Sequence, residues 1–163
     1  MTAIQSVKKG SLLQAVGQCP EHAFVVHAGL LRSFFIDERG KEHTFMFAPE
    51  GWIIGDLEAS GFGSATRLAI EALEDSEIEV RAMGDLAANG EDAESRLKLM
   101  HRRAGALQRR VLMMMSTSAL ERYEDFLSTY PQLSGRISQK LIASYLGITP
   151  QALSKLRAER VGK

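Results

Sequence analysis

The residues best suited to chemistry lie close to the end of the chain, in RISQKLIASYLGITPQALSKLRAER, residues 136 to 160. Gln151, Ser154, Lys155 and Arg157 follow a Thr149-Pro150 pair at spacings that turn their polar groups away from the apolar edge of one helix. A Gln amide can bond adenine through two hydrogen bonds, Lys donates to guanine, and cationic side chains reach phosphates. These are recognition groups. No paired carboxylates, Ser/His/Asp set or phosphate-cradling glycine loop sits in a recognisable context, so no enzymatic activity is expected. The expected partner is double-stranded DNA.

A short helix pair must hold that face. Ser138 can cap a helix running to Leu146, with Leu141, Ile142 and Tyr145 or Leu146 turned inward, and Gly147 ends it. Thr149 is then the next N-cap, with Pro150 at the first helical position, where its missing N–H costs nothing. Leu153 and Leu156 give the second helix its inward edge, and the result is helix, glycine turn, helix. Ser138 and Thr149 join Gln151, Ser154, Lys155 and Arg157 in the candidate DNA-contacting set. Charge supports this placement. Residues 1 to 95 hold 7 Lys+Arg against 16 Asp+Glu, residues 96 to 133 hold 7 against 3, and residues 134 to 163 hold 6 against 1. The whole chain is neutral, yet its last third is basic enough to be held near a polyanion, while the first half is not. Only Val161, Gly162 and Lys163 follow the second helix, which sets an expectation of few further phosphate contacts and moderate affinity.

Upstream, apolar residues recur at Leu97, Met100, Ala104, Leu107, Val111 and Met114 in steps of three and four. Such a heptad seam, on a helix of about 35 Å from residue 92 to about 115, favours pairing with a second copy, so a homodimer is expected. The alternative is a helix lying on its own first domain. STS breaks the seam, and Ser118 with Glu121 makes a capping box for a further helix to about Thr129, stopped by Pro131.

The first half reads as short strands with turn signals about every ten residues. AFVVHAGLLRSFFIDERGKEHTFMF predicts two consecutive hairpins, and RLAIEALEDSEIEVRAM two more strands. Many short antiparallel strands close best as a roll. The expected architecture is α+β: an antiparallel, jelly-roll-like β-roll over residues 1–91, a dimerisation helix over 92–116 and a helical DNA-binding domain over 117–163. Cys19 is the one cysteine, so no intrachain disulfide and no iron-sulfur cluster can form, and a reduced, buried thiol is expected. The four histidines lack metal-ligand spacing, and no metal is expected. The start, MTAIQSVKKGSLLQ, has no sustained apolar run, and no stretch has the length of a membrane span, so a cytoplasmic location is expected.

From about Gly10 to Arg160 the order of parts resembles the Crp/Fnr family of bacterial transcription regulators. The resemblance is carried by GLLRSFFIDERGKEHTFMFAPEGWIIGDLEA and RISQKLIASYLGITPQALSKLRAE. It implies a cyclic-nucleotide-binding-like roll, a dimerisation helix, a helix-turn-helix and RNA polymerase as a further partner. The family's three main base-reading positions fall on Pro150, Gln151 and Lys155, where Pro150 offers no donor and Gln151 is neutral. The family's effector cassette would fall on Gly55, Asp56 and Leu57, with Asp56 on a shorter arm than the usual Glu. The phosphate-gripping Arg position falls on Thr66, with Arg67 one residue late, and a one-residue slip turns a strand side chain to the opposite face. A cyclic nucleotide is thus an expected effector only through a degraded cassette. A second reading is a cyclic-nucleotide-binding module whose C-terminal helices meet a protein instead of DNA.

Overall fold

The computed structural model describes residues 4–85, 93–116, 118–133 and 135–161. By contact the chain divides into two compact units, Met1–Ala88 and Asn89–Lys163.

The first unit holds eight strands: β1 (Ile4–Val7), β2 (Leu12–Gln14), β3 (His22–Ala28), β4 (Leu31–Ile36), β5 (Glu42–Ala48), β6 (Ile53–Ile54), β7 (Ala69–Ala72) and β8 (Ser76–Ala82). They form two antiparallel four-stranded sheets, ordered β1-β8-β3-β6 and β2-β7-β4-β5. The inward residues of each pleat meet in one core, Phe24, Val26, Ile54 and Ile78 from the first sheet and Leu31, Ala48, Ile70 and Ala72 from the second. Trp52 packs against this core. The α+β class and the roll are as expected.

One of the two expected hairpins forms. β4 and β5 pair across a turn in which Asp37 Oδ1 accepts from the backbone N–H groups of Arg39 and Lys41, both at 2.9 Å. The other does not. β3 pairs with β6 and β8, so the chain leaves one sheet and enters the other at Gly29. Alternation in the sequence cannot tell a turn within a sheet from a corner between sheets. Gly29 is required at this corner, because its φ is 91° and an added Cβ would fall 2.3 Å from Ser76 Oγ and 2.7 Å from the Asp75 carbonyl oxygen.

Three features were not anticipated. A six-residue helix, α1 (Leu57–Phe62), lies among the glycines that read as chain breaks, capped by Asp56 and ended at Gly63. Arg32, the second residue of β4, is buried. Its guanidinium donates to Glu71 Oε1 at 2.7 Å on one side and Glu42 Oε2 at 2.6 Å on the other, and it lies 4.0 Å from the centre of the Phe34 ring. Paired on both sides, this buried charge links the three strands β7, β4 and β5. Cys19 is exposed, contrary to the buried thiol expected, because it lies in the polar loop between β2 and β3 and not on a strand face.

The second unit holds α2 (Ala93–Ser116), α3 (Ala119–Thr129), a single 3-10 turn (Pro131–Leu133), α4 (Gln139–Leu146) and α5 (Pro150–Val161). Its core is Tyr123, Phe126, Tyr130, Leu133, Ala143, Tyr145, Leu146 and Leu153. Among the described residues, no helix is long and apolar enough to cross a membrane.

Gly29→Ala is expected to cost about 1–3 kcal/mol of stability, the penalty for a strained backbone conformation, read as a lower urea midpoint at unchanged slope. An unchanged midpoint would contradict the close approach to Ser76.

Candidate nucleic-acid interface

Local capping fixes both ends of the helix pair. Ser138 Oγ accepts from the Leu141 N–H at 3.3 Å and starts α4. At the other end Gly147, at φ 69° and ψ 30°, lets the Ile148 N–H reach the Ala143 carbonyl at 3.0 Å and its own N–H reach Ser144 at 3.3 Å, a Schellman ending. Two residues later Thr149 Oγ1 accepts from the Ala152 N–H at 3.1 Å, and α5 begins at Pro150. Leu153 is fully buried and Leu156 half-buried, so α5 is held by one edge.

The rest of α5 is open. Gln151, Ser154, Lys155 and Arg157 are exposed, and the caps Ser138 and Thr149 are exposed with them. Their hydrogen-bonding groups therefore face solvent on the helix pair, with the two capping hydroxyls already engaged in the backbone. Lys155 has Glu159 at 3.9 Å, one turn on. An exposed pair of this kind contributes about 0.3–0.5 kcal/mol, so it does not restrain Lys155 from another anion.

Two arginines hold the C-terminal end of α4. Arg110, from α2, donates to the Tyr145 carbonyl, and its guanidinium lies 3.6 Å from the centre of the Tyr145 ring. Arg122, from α3, donates Nε–H to the Leu146 carbonyl at 3.1 Å. Terminal carbonyls lack intrahelical donors and carry the negative end of the helix dipole, so cations are favoured there. Hydrogen bonds from charged donors contribute about 1.5–3 kcal/mol, and a desolvated cation–π contact about 2 kcal/mol. Those magnitudes exceed any exposed pair on α5. Burial lowers the proton affinity of Arg110, opposed by Tyr145, Tyr130 and Asp125, and burial raises the Tyr145 phenol above its ordinary value. Tyr145 in turn packs against Phe126 at 5.5 Å and edge-on to Tyr130 at 5.6 Å. Sequence reading missed this joint, since residues 110 and 122 lie 35 and 24 positions from their acceptors.

α2 spans 24 residues, about 36 Å. Its seam positions Leu97, Ala104, Leu107, Val111 and Met114 are exposed, and Leu112 and Met115 lie exposed beside them. The side chain of Met100 lies outside the described ones. Ser118 and Glu121 form the expected capping box, with Glu121 Oε2 accepting from the Ser118 N–H at 2.7 Å and Ser118 Oγ accepting from the Glu121 N–H at 3.2 Å. The bond from the Ser118 N–H holds the Glu121 carboxyl below its ordinary range.

The four cassette positions in the roll differ in burial and in their partners. Asp56 is 4% exposed, and both its oxygens are engaged, one by the Ala59 N–H at 3.0 Å and the other by the Thr66 hydroxyl. Thr66, buried, also accepts from the Leu68 N–H at 2.9 Å and from Gln14 Nε2 at 3.2 Å. Arg67 is turned outward, its side chain 81% exposed beside Glu58 at 3.4 Å. Gly55 lies against β3, where an added Cβ would meet Ala23 Cβ at 3.0 Å, and Leu57 is exposed at the start of α1. Among the described residues no cluster of three or more His, Cys, Asp or Glu could hold a metal ion.

Comparison with known proteins places this arrangement. No family model matches the chain. The fumarate and nitrate reduction regulatory proteins of Escherichia coli K12 and Salmonella typhimurium LT2 are each 26% identical to it over 168 residues, covering 92% of this chain. The chain spans 65% of the length of these relatives. Among solved structures, FixK2 from Bradyrhizobium japonicum superposes with a TM-score of 0.78 at 24% identity, covering 98% of this chain and 84% of that one. The chain shares the fold of FixK2. A transcriptional regulator of the CRP/FNR family from Thermus thermophilus gives a TM-score of 0.66 at 21% identity over 96% of this chain and 84% of its own. A CooA variant from Carboxydothermus hydrogenoformans gives 0.70 at 19% identity over 97% and 75%. The resemblance to the Crp/Fnr regulators read in the sequence therefore holds in both sequence and fold, and the relatives from Escherichia coli, Salmonella and Thermus thermophilus are named as regulators.

Removal of the α4 cap in Ser138→Ala is expected to cost about 1 kcal/mol, measured by chemical denaturation of the full chain. A cost within about 0.2 kcal/mol of zero, well below the usual range for a lost cap, would mean that the Ser138 hydroxyl does not hold the helix start.

Proposed function

We propose that the chain is a sequence-specific DNA-binding regulator of transcription that acts as a homodimer. The observation that carries this reading is the open α5 face. Gln151, Ser154, Lys155 and Arg157 are all exposed while Leu153 anchors the same helix in the core, the disposition a reading helix needs to enter a major groove. The surplus of cations over residues 134 to 163 supplies the attraction to phosphate. The exposed seam of α2 supports pairing, since Leu97, Leu107, Val111 and Met114 would otherwise hold apolar surface in water. Two paired copies would place two α5 helices against successive major grooves of a palindromic site. No reaction is assigned.

The roll contributes a scaffold or the sensor of an effector other than a cyclic nucleotide held by Arg67. That assignment draws on Asp56 and Thr66 being bonded to each other in the interior, and on Arg67 standing outside beside Glu58. A module that binds cyclic nucleotide and acts through a protein partner receives no support from this geometry. Calorimetry with cyclic AMP and cyclic GMP is expected to give no heat of tight binding, and a sub-micromolar constant with either would overturn the assignment of the roll.

Gln151→Ala and Lys155→Ala are each expected to weaken binding to a selected palindrome by about 1–3 kcal/mol if they meet base edges, with the dimer intact by sedimentation. Loss of a cation that meets only phosphate would instead lower the salt slope by about one unit. Unchanged affinity and unchanged salt slope in both variants would refute α5 as the reading helix.

A further inference from the structure

We propose that Arg110 is a positioning residue for DNA reading, the link that makes the separation of the two reading helices depend on how the two α2 seams pair. The proposal rests on the paired DNA-reading function above and names how its geometry is set. Arg110 stands between the seam residues Leu107 and Val111 on α2, all within about one helical turn. From there its guanidinium donates to the Tyr145 carbonyl and stacks on the Tyr145 ring at 3.6 Å. One turn further along α2, the Met114 methyl borders Gly147, where an added Cβ would lie 3.0 Å from it. The same stretch of α2 that offers the seam thus also touches the last turn of α4, through Arg110, and the glycine that leads into α5, through the seam residue Met114 itself.

The grip is on the backbone of α4, which makes it a constraint on where the helix lies and not only on which side chains pack. Arg122 completes it from α3 through the Leu146 carbonyl. α5 follows rigidly, through the Schellman ending at Gly147 and the fully buried Leu153. A slide or rotation of one α2 against its partner would be carried through Arg110 into α4 and α5, and the reading helices must sit about 34–36 Å apart to enter successive major grooves. A residue that merely stabilised the second unit would weaken every mode of DNA binding alike. A positioning residue would alter the preference between half-site spacings and leave each half-site read as before.

The test uses the full chain and fluorescence anisotropy with three duplexes: a single half-site, the palindrome at the spacing recovered by selection, and that palindrome with two base pairs inserted at its centre, which moves the half-sites apart by about 7 Å. The wild type is expected to prefer the selected spacing by about tenfold or more. Arg110→Gln, which lacks the cation, is expected to keep half-site affinity within about twofold and to lose the spacing preference to below about twofold. Arg110→Lys keeps a cationic donor but not the planar stacking, and a preference near threefold is expected. This second variant decides the matter should the first fail to fold by circular dichroism. Full spacing preference in the folded variants, or equal proportional loss on all three duplexes, would overturn the positioning role. Absence of DNA binding by the wild type would instead sink the function itself, and this inference with it.

Discussion

The second unit turns on one constraint: the last carbonyls of α4 need donors, and they receive them from two arginines on two different helices. An eight-residue helix is too short to be stable by propensity alone and depends on what its ends and its buried face meet. Ser138 satisfies its start, and Arg110, Arg122 and the turn at Gly147 satisfy its end. The aromatic group of Phe126, Tyr130 and Tyr145 then covers the buried face, with ring centres 5.5 to 5.6 Å apart. With α4 fixed in this way, α5 needs only Leu153 and a half-buried Leu156 to hold it, and its remaining surface is left to polar groups. A narrow inner edge is what allows a helix to present donors outward.

The same division between satisfied interior and open surface holds in the roll. Asp56, Thr66 and Gln14 form a buried polar chain in which each side chain has partners within the protein, as the cost of burying an unpaired carboxylate requires. Arg32 is treated likewise by Glu42, Glu71 and Thr44. Arg67, by contrast, is solvated, and its neighbour Glu58 at 3.4 Å is an exposed partner of small energetic weight. The buried Asp56 and Arg32 are thus satisfied within the protein, and Arg67 lies outside.

Much of this was legible in the sequence because it is local. The caps Ser138, Thr149 and Ser118, the stop at Gly147 and the start at Pro150 all depend on residues within a few positions of one another, and each lies where its spacing predicted. The longer helices α2 to α5 could be argued from periodicity and capping of this kind, whereas α1 was hidden because its Asp56 cap and Gly63 stop enclose only six residues, short enough to pass for a broken loop. What the sequence could not carry was pairing across distance. The corner at Gly29 depends on Ser76, the burial of Arg32 on Glu71, and the docking of α4 on Arg110. For the cassette, the resemblance placed Arg67 one residue late, and the direction of its side chain could be learned only from the folded segment that precedes β7.

The central claim is that two copies of the α5 face read duplex DNA together. Selection of bound fragments from a random-sequence duplex pool by the full chain tests it most directly. The account predicts recovery of an inverted repeat whose half-site centres lie about one helical turn of DNA apart. Recovery of no shared sequence, or of single half-sites without a symmetric partner, would contradict it.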